Sequence, residues 1–396
     1  MPKLRGTQSA GSAKNSRLAA HKPPNLKGPK PQAIGGANNK TRAADGDKKP
    51  SSDQQKALAH NLQQDVLGVF SRALAPALTS PRLNEALQAV KQALFERDFA
   101  GAFGTVDDSK PVADKSSEEK KGKTVSFEID NAIPPLDAYA ARWSPTRALC
   151  YASVLASPVV QEQWNAVSSQ EEDQQPEANK KSLRMVAIGG GAAEIVAFGT
   201  LLTRGEAGHD HTGELVLVDS GPWASVVDRL QTSMIEPSAD GCRTALVEPA
   251  ERFGVDFRQR DILKVDDAEM GKLIGGGDEA GGATTLVSLF FTLNELFTAG
   301  GLGAAATFLL RLTASAPSGT VLLVVDSPGS YAEMAVGAQA RKYPMRWLLD
   351  KFLLQDAEAW TKVHEDEAIW FRLSPSLSYP IRLEDMRYQV HLYVRK

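Results

Sequence analysis

The sequence predicts an α/β fold in which a largely parallel β-sheet carries helices on both faces. From Leu183 onward, apolar segments of strand length alternate with segments whose apolar residues recur at helical spacing. This alternation is typical of a parallel sheet, because a crossover along one face must join each strand to the next. Glycines follow the first expected strand and acids follow the next two, as in sheets that bind nucleotide-like ligands.

The expected strands are short runs of apolar, β-branched and aromatic residues. They cover residues 184–188, 214–218, 255–257, 284–291 and 320–325. The clearest helices between them cover residues 192–203, 222–234 and 302–314. Two more strands, AIWFRL (368–373) and YQVHLYVR (388–395), are expected at the C-terminus, and the last one is expected to run antiparallel at or near an edge.

The N-terminal region has a different composition. Residues 1–50 hold eleven Lys and Arg against two acids and contain few large apolar residues, so we expect a disordered basic arm. Such an arm binds RNA or directs the chain to the nucleus or nucleolus; the alternative is a solvated tail without a partner. Residues 51–105 are expected to form a helical hairpin as an accessory region, and residues 106–130 a charged linker.

The main domain is expected over residues 131–396, with a polar insert at 168–182 and a turn at Ser144-Pro145 ahead of a helix. Cys150 and Cys242 are far apart, which argues against a disulfide scaffold. No run of about 18 apolar residues exists, and the N-terminus lacks the apolar core of a secretory signal. We therefore expect a soluble, intracellular and monomeric protein.

Three consecutive glycines, Gly189, Gly190 and Gly191, separate the first strand from the helix that follows. Glycine accepts a positive φ and lets a ligand approach the backbone, while the N-terminus of the next helix presents unpaired N–H groups. These residues predict a binding turn. The alternative is a tight strand-to-helix turn without a ligand.

Acids at two later strand ends favour an adenosyl cofactor. Asp219 ends the second strand, where a carboxylate is placed to bind ribose hydroxyls. Asp261 follows the third strand, where it is placed to face the adenine amino group. Ser220 and Ile262, the neighbours of these acids, are included in the predicted site.

Glu194 distinguishes between two adenosyl cofactors. A dinucleotide site prefers the pattern G-x-G-x-x-G, and here Glu194 takes the place of the third glycine. A pyrophosphate repels a carboxylate, whereas the sulfonium and amino group of S-adenosylmethionine attract it. S-adenosylmethionine is therefore the predicted cofactor, and NAD is a distant second. His209-Asp210-His211 lies in a polar loop without a third ligand at useful spacing, so no metal site is expected.

The segment TLNELF (292–297) follows the fourth strand, where acceptors bind in this architecture. Asn294 is expected to orient a base edge and Glu295 to accept a proton; the alternative makes Asn294 a helix cap. Phe291 and Phe297 are interpreted as core residues rather than as rings that stack on a flipped base.

Six segments together resemble a known family. They are RWSPTRALCY, AIGGGAAE, LVDSGPW, FTLNELF, VVDSPGSY and KYPMRWLLD. Over roughly residues 55–396 the chain is similar to the fungal methyltransferases of large-subunit (25S) ribosomal RNA that modify uridine at N3. The NELF loop departs from the Asp/Asn-Pro-Pro-aromatic loop of enzymes that methylate exocyclic amines.

The resemblance implies a Rossmann-like, seven-stranded methyltransferase sheet, S-adenosylmethionine as the donor and a pre-ribosomal RNA uridine as the acceptor. It also implies a role in ribosome biogenesis and a nuclear or nucleolar location, with the cytoplasm as an alternative. The uridine must be unpaired or flipped out, because N3 lies within a base pair. Phosphate contacts are then expected from Arg142, Arg147, Arg341 and Lys342, each of which is otherwise a solvated surface charge. A protein or small-molecule methyltransferase and a non-catalytic assembly factor remain as alternatives.

Overall fold

The computed structural model describes residues 52–96, 98, 103, 133–165, 182–203, 211–237, 244–275, 284–329, 331–336 and 339–396. The predicted basic arm and charged linker lie outside these residues, as does the polar insert except for Ser182. The same holds for Cys242, His209 and Asp210.

Seven strands form one sheet, as predicted. They are β1 (Ser182–Ile188), β2 (Thr212–Asp219), β3 (Phe253–Gln259), β4 (Thr285–Phe290), β5 (Val321–Asp326), β8 (Trp360–Phe371) and β9 (Met386–Arg395). Their order is β3-β2-β1-β4-β5-β9-β8. Strands β1 to β5 are parallel, and β9 runs antiparallel to both of its neighbours. The last strand of the chain is therefore antiparallel and next to the edge strand β8.

Helices cover both faces of the sheet, which explains why β4 and β5 are buried along their whole length. In chain order they are α1 (Ser52–Ala73), α2 (Ala75–Leu78), α3 (Leu83–Glu96), α4 (Pro135–Leu155), α5 (Pro158–Asn165), α6 (Ala192–Leu201), α7 (Ala224–Ile235), α8 (Asp267–Ile274), α9 (Leu293–Ala299), α10 (Gly301–Ser315) and α11 (Met345–Leu353). Helices α1, α4, α6 and α7 pack on one face, and α8, α10 and α11 on the other.

The N-terminal helices α1 and α3 occupy the region expected to form a helical hairpin. Helix α1 is part of the main core, since Leu67, Val69 and Phe70 are fully buried in the same cluster as α4 and α7. Each such side chain contributes roughly 1.5–3 kcal/mol to stability when it is removed from water. The described residues all belong to one compact unit, so α1 is a layer of the domain rather than a separate lobe.

The prediction of a turn at Ser144-Pro145 is wrong, because α4 continues through Pro145. A proline inside a helix removes the N–H that would bond the carbonyl four residues earlier, here that of Ala141. The Tyr379 hydroxyl donates to the Ala141 oxygen at 3.0 Å and supplies the missing hydrogen bond. A side chain more than 200 residues away thus permits the helix to continue.

A second, two-stranded sheet was not predicted. Strands β6 (Tyr331–Val336) and β7 (Gln339–Pro344) form an antiparallel pair between β5 and α11. Arg341 and Lys342 lie in β7, but their side chains are outside the described part of the molecule. Among the described helices, none is long and apolar enough to cross a membrane.

Candidate active site

Two adjoining cavities open at the carboxyl ends of β1, β2 and β4. The outer cavity has a volume of about 490 Å³ and lies against the ends of β2 and β3. The inner cavity is about 70 Å³ and extends between the glycine turn and α4. The two share several lining residues, namely Phe103, Gly189, Asp219, Thr292 and Glu295. They are therefore two parts of one site.

Packing against neighbouring side chains requires glycine at positions 189 and 191 of the turn after β1, whether or not a ligand is bound. Gly189 has a φ of +71°, and a Cβ there would lie 2.2 Å from the Thr292 hydroxyl oxygen. A Cβ at Gly191 would lie 2.9 Å from the Trp223 ring. Because Thr292 and Trp223 also line the cavities, the glycines let the walls of the site come together. Gly190 is buried and does not line either cavity.

Glu194 lies in the first turn of α6 and lines the inner cavity. Its side chain is 6% exposed, and its Oε2 accepts a hydrogen bond from the Gly191 N–H at 2.8 Å. Burial raises the pKa of this carboxyl group to about 7, although the hydrogen bond and the Arg147 charge partly oppose the shift. A cation in the inner cavity would favour the ionised form of Glu194.

The two acids predicted to hold the adenosyl group both line the outer cavity, together with Ser220 and Ile262. Asp219 accepts the Gly221 N–H at 2.6 Å, and burial raises the pKa of its carboxyl group to about 6. Asp261 accepts the Leu263 N–H at 3.1 Å, and its other oxygen pairs with Lys264 at 3.0 Å. Each carboxylate is thus held in place by its own loop.

Glu295 lines both cavities from the first turn of α9. Its side chain as a whole is exposed, while the protein atoms around the carboxyl group partly desolvate it and raise its pKa to about 7. Asn294 lines neither cavity, and its backbone N–H donates to Asp326 at 3.1 Å. The structure therefore places Glu295 in the site but gives no support to an acceptor-side role for Asn294.

The sequence analysis expected Arg147 to contact RNA phosphates. The structure places it inside the site instead. It is half-buried in the inner cavity, with its guanidinium 5.2 Å from the Phe291 ring centre and 5.6 Å from that of Tyr139. Its positive charge attracts the carboxylates of Glu194 and Glu295 and partly opposes the rise in their pKa values. Arg142 points elsewhere and pairs with Glu384 at 2.8 Å.

Tyr139 and Trp223 form aromatic walls of the inner cavity that the sequence analysis missed. The rings of Tyr139 and Trp223 are 5.8 Å apart. Tyr139 and Arg147 lie on one face of α4, two turns apart, and the misplaced turn at Pro145 concealed this spacing. An uninterrupted helix over YAARWSPTR would have shown it.

Phe297 is the core residue that the sequence analysis expected, at 3% exposed. Phe291 packs against the core but is also part of the cavity wall. Phe291 is half-buried, lines the inner cavity and has a φ of +56°, which is rare for a residue with a side chain. Its N–H donates to the Val325 carbonyl at 2.7 Å and fixes this conformation. Strained backbone of this kind is concentrated at functional sites.

A sequence model of the family described as "Putative SAM-dependent methyltransferase" matches residues 120–394, which include the seven strands of the large sheet except Arg395 and the residues that line the two cavities except Phe103. The chain belongs to this family. The methyltransferase is also 30% identical over 339 residues to the 25S rRNA (uridine(2843)-N(3))-methyltransferase of Saccharomyces cerevisiae. The matched region covers 79% of this chain and 78% of the yeast protein.

Solved structures resemble this methyltransferase only weakly. The NodS N-methyltransferase of Bradyrhizobium japonicum in complex with S-adenosylhomocysteine is 13% identical, covers 66% of this chain and 96% of its own, and has a TM-score of 0.29. A SAM-dependent methyltransferase of Methanosarcina mazei is 8% identical, covers 57% and 98%, and has a TM-score of 0.30.

S-adenosylmethionine is the cofactor of this methyltransferase. The outer cavity has a volume within the range of roughly 300–1,000 Å³ that is usual for such ligands, and carboxylates stand at its wall. When bound, the cofactor supplies an electrophilic methyl group. In the described part of the chain, no group of three or more His, Cys, Asp or Glu residues is arranged to hold a metal ion.

Proposed function

We propose that this methyltransferase transfers a methyl group from S-adenosylmethionine to N3 of a uridine in large-subunit ribosomal RNA. The observation that carries the proposal is the similarity to the yeast 25S rRNA uridine-N3 methyltransferase, which extends over about four fifths of both chains. The site adds chemical support, because it combines a carboxyl group of raised pKa with a guanidinium group in one cavity.

In this proposal the outer cavity holds the adenosyl group. Asp219 accepts hydrogen bonds from the ribose hydroxyls, and Asp261 with Ile262 contacts the adenine. The methionine end then lies towards the glycine turn, where Glu194 and Glu295 offer carboxylates to its amino group and sulfonium. Burial strengthens the attraction to Glu194, because its surroundings have a lower dielectric constant than water.

The chemistry of the acceptor gives Glu295 and Arg147 separate roles in the reaction. Neutral uracil N3 carries a proton and is a poor nucleophile, so the proton must leave as N3 approaches the methyl carbon. Glu295 takes this proton while the N3–C bond forms and the S–C bond breaks, which releases S-adenosylhomocysteine. Arg147 stabilises the negative charge that develops on the uracil oxygens. The role of Asn294 at the base edge stays a prediction.

The same proposal assigns the substrate and the location. The partner is ribosomal RNA or a pre-ribosome, the protein acts as a monomer, and the nucleus or nucleolus is the expected site of action, with the cytoplasm as the alternative. The basic arm of residues 1–50 supports this assignment through its charge alone. Arg341 and Lys342 remain predicted phosphate contacts.

The proposal is tested by nucleoside mass spectrometry of large-subunit rRNA from cells that lack the gene. We expect the loss of one 3-methyluridine, its return with the wild-type gene, and no return with a gene encoding Asp219→Ala. Intact 3-methyluridine in the deletion strain would contradict the proposal and would point to a protein or small-molecule acceptor.

A further inference from the structure

An exposed tryptophan at the edge of the sheet lies next to two arginines. Trp370, at the end of β8, is 52% exposed. The Arg372 guanidinium lies 4.8 Å from its ring centre and that of Arg387 lies 5.8 Å away. Trp370 and Arg387 are direct partners in the β8–β9 pair, so the sheet itself fixes this arrangement. We call these three residues the Trp370 cluster.

The Trp370 cluster lies at the same end of the sheet as the active site. Strand β9 is antiparallel to both β5 and β8, so the last residues of β8 and the first of β9 lie level with the carboxyl end of β5. The cavities open at the carboxyl ends of β1, β2 and β4. An extended ligand that runs along this edge therefore meets both features.

Direct contacts connect the cluster to α4 and the inner cavity. Arg372 pairs with Asp385 at 3.0 Å, and the preceding residue, Glu384, pairs with Arg142 at 2.8 Å. The Arg142 guanidinium in turn lies 5.9 Å from the Trp143 ring centre. Trp143 is 5.3 Å from the ring of Tyr139, which lines the inner cavity. Aromatic rings and guanidinium groups thus follow one another from the cavity to the sheet edge.

The charges of the cluster favour stacking over simple phosphate attraction. Asp385 neutralises Arg372, and Glu384 neutralises Arg142, so this surface is not strongly basic. Arg387 has no ion-pair partner among the described residues, and its guanidinium lies beside the Trp370 ring. Unpaired nucleic-acid bases stack on tryptophan rings and on guanidinium planes, and a duplex does not offer its base faces.

We infer that the Trp370 cluster binds an unpaired base of the single-stranded RNA segment that flanks the methylated uridine. The inference rests on the proposed function and extends it to the substrate-binding surface. The stacked base anchors the strand at the edge of the sheet, while the target uridine enters the inner cavity. Arg387 keeps donors free for an adjoining phosphate.

The test measures RNA affinity and methylation separately. The full-length protein, saturated with S-adenosylhomocysteine to prevent turnover, is titrated with a single-stranded RNA oligonucleotide that contains the target uridine in its unmethylated form. We expect Trp370→Ala to weaken binding by about tenfold and Arg387→Ala to weaken it by a smaller factor, while Trp370→Phe, which keeps a ring, retains most of the affinity. In turnover, Trp370→Ala raises KM for RNA and leaves kcat nearly unchanged.

Matched controls lie elsewhere on the surface. Phe95→Ala removes an aromatic ring that is 85% exposed on α3, and Arg82→Ala removes an exposed arginine near the start of the same helix. Both should bind RNA as the wild type does, and all variants should bind S-adenosylhomocysteine equally. RNA binding by Trp370→Ala that equals that of Phe95→Ala would overturn the inference and leave the proposed function intact. A wild-type protein that does not methylate RNA would overturn both.

Discussion

Three carboxyl groups with raised pKa values meet in the site, and desolvation is the main cause for each. Glu194 and Glu295 have pKa values of about 7, and Asp219 has one of about 6. The ordinary values for these side chains are near 4, so the folded protein keeps their protons to a higher pH than an unfolded chain does. A bound cation reverses this tendency, because it favours the ionised forms.

Glu295→Gln should lower kcat for RNA methylation by about two to four powers of ten, because the amide cannot accept the N3 proton. For the wild type, kcat/KM should rise with pH through about 7 as Glu295 loses its own proton, and the variant should lack this rise. Rapid-quench kinetics over a pH series measures both quantities. Binding of S-adenosylhomocysteine serves as the control, and a fully active Glu295→Gln would remove Glu295 from the chemistry.

The affinity for S-adenosylmethionine should depend on pH more strongly than the affinity for S-adenosylhomocysteine. S-adenosylmethionine carries a sulfonium charge that S-adenosylhomocysteine lacks, so its binding favours ionised Glu194 and Glu295 and releases protons. Its affinity should therefore increase as pH rises through about 7 and level off above that value. Calorimetry of both ligands between about pH 6 and pH 8 tests this, and an equal pH dependence for the two would mean that neither carboxylate senses the sulfonium.

At the scale of single residues, the sequence predicted the carboxylates of the site, but it assigned Arg147 to a phosphate contact and Phe291 to the core. Glu194, Asp219 and Glu295 follow strand ends or glycines, and a parallel sheet brings such positions together at one edge. The place of Arg147 and Phe291 in the inner cavity could not be predicted in the same manner. Arg147 comes from a helix ahead of the sheet, and the left-handed backbone of Phe291 leaves no mark in a single sequence.

Among the elements, α4 depends on a long-range contact, and this dependence is testable. Tyr379→Phe should lower the free energy of unfolding by about 1–3 kcal/mol, since it leaves the Ala141 carbonyl without its donor. In a Pro145→Ala background the cost should be smaller, because the alanine N–H can bond that carbonyl itself. Urea denaturation of the four proteins in this double-mutant cycle measures the coupling, and additive effects would contradict it.

Hydrophobic and glycine patterns predicted the sheet because they are local. The alternation from Leu183 onward predicted β1 to β5, and the aromatic, β-branched segments at the C-terminus predicted β8 and β9. The continuous α4 could not be predicted from its own residues, because the donor that replaces the proline N–H comes from Tyr379. The small β6–β7 sheet lies outside the main alternation and was missed for that reason.

Charge is unevenly distributed over the whole molecule. Residues 1–50 hold eleven Lys and Arg against two acids, whereas the complete chain has a net charge of −3, so the remainder is strongly acidic. An acidic domain repels RNA at long range. The arm, which lies outside the described residues, is therefore the expected source of electrostatic attraction for the substrate.

Deletion of residues 1–50 should weaken RNA binding and reduce its salt dependence, with a slope of log K against log salt that falls by about 0.7 for each lost phosphate contact. Affinity for S-adenosylhomocysteine should not change. An arm of equal length with its Lys and Arg replaced by Gln separates charge from length. Fluorescence anisotropy over a salt series provides the measurement, and an unchanged slope would reduce the arm to a tail.

The most direct measurement of the central claim is methylation of large-subunit rRNA in vitro, followed by nucleoside mass spectrometry. Purified full-length protein is incubated with S-adenosylmethionine and with rRNA that lacks the modification, alongside Glu295→Gln as the matched control. We expect 3-methyluridine with the wild type and almost none with the variant. A different methylated nucleoside, or no methylation of the rRNA by the wild type, would contradict the assignment of uridine N3 as the acceptor.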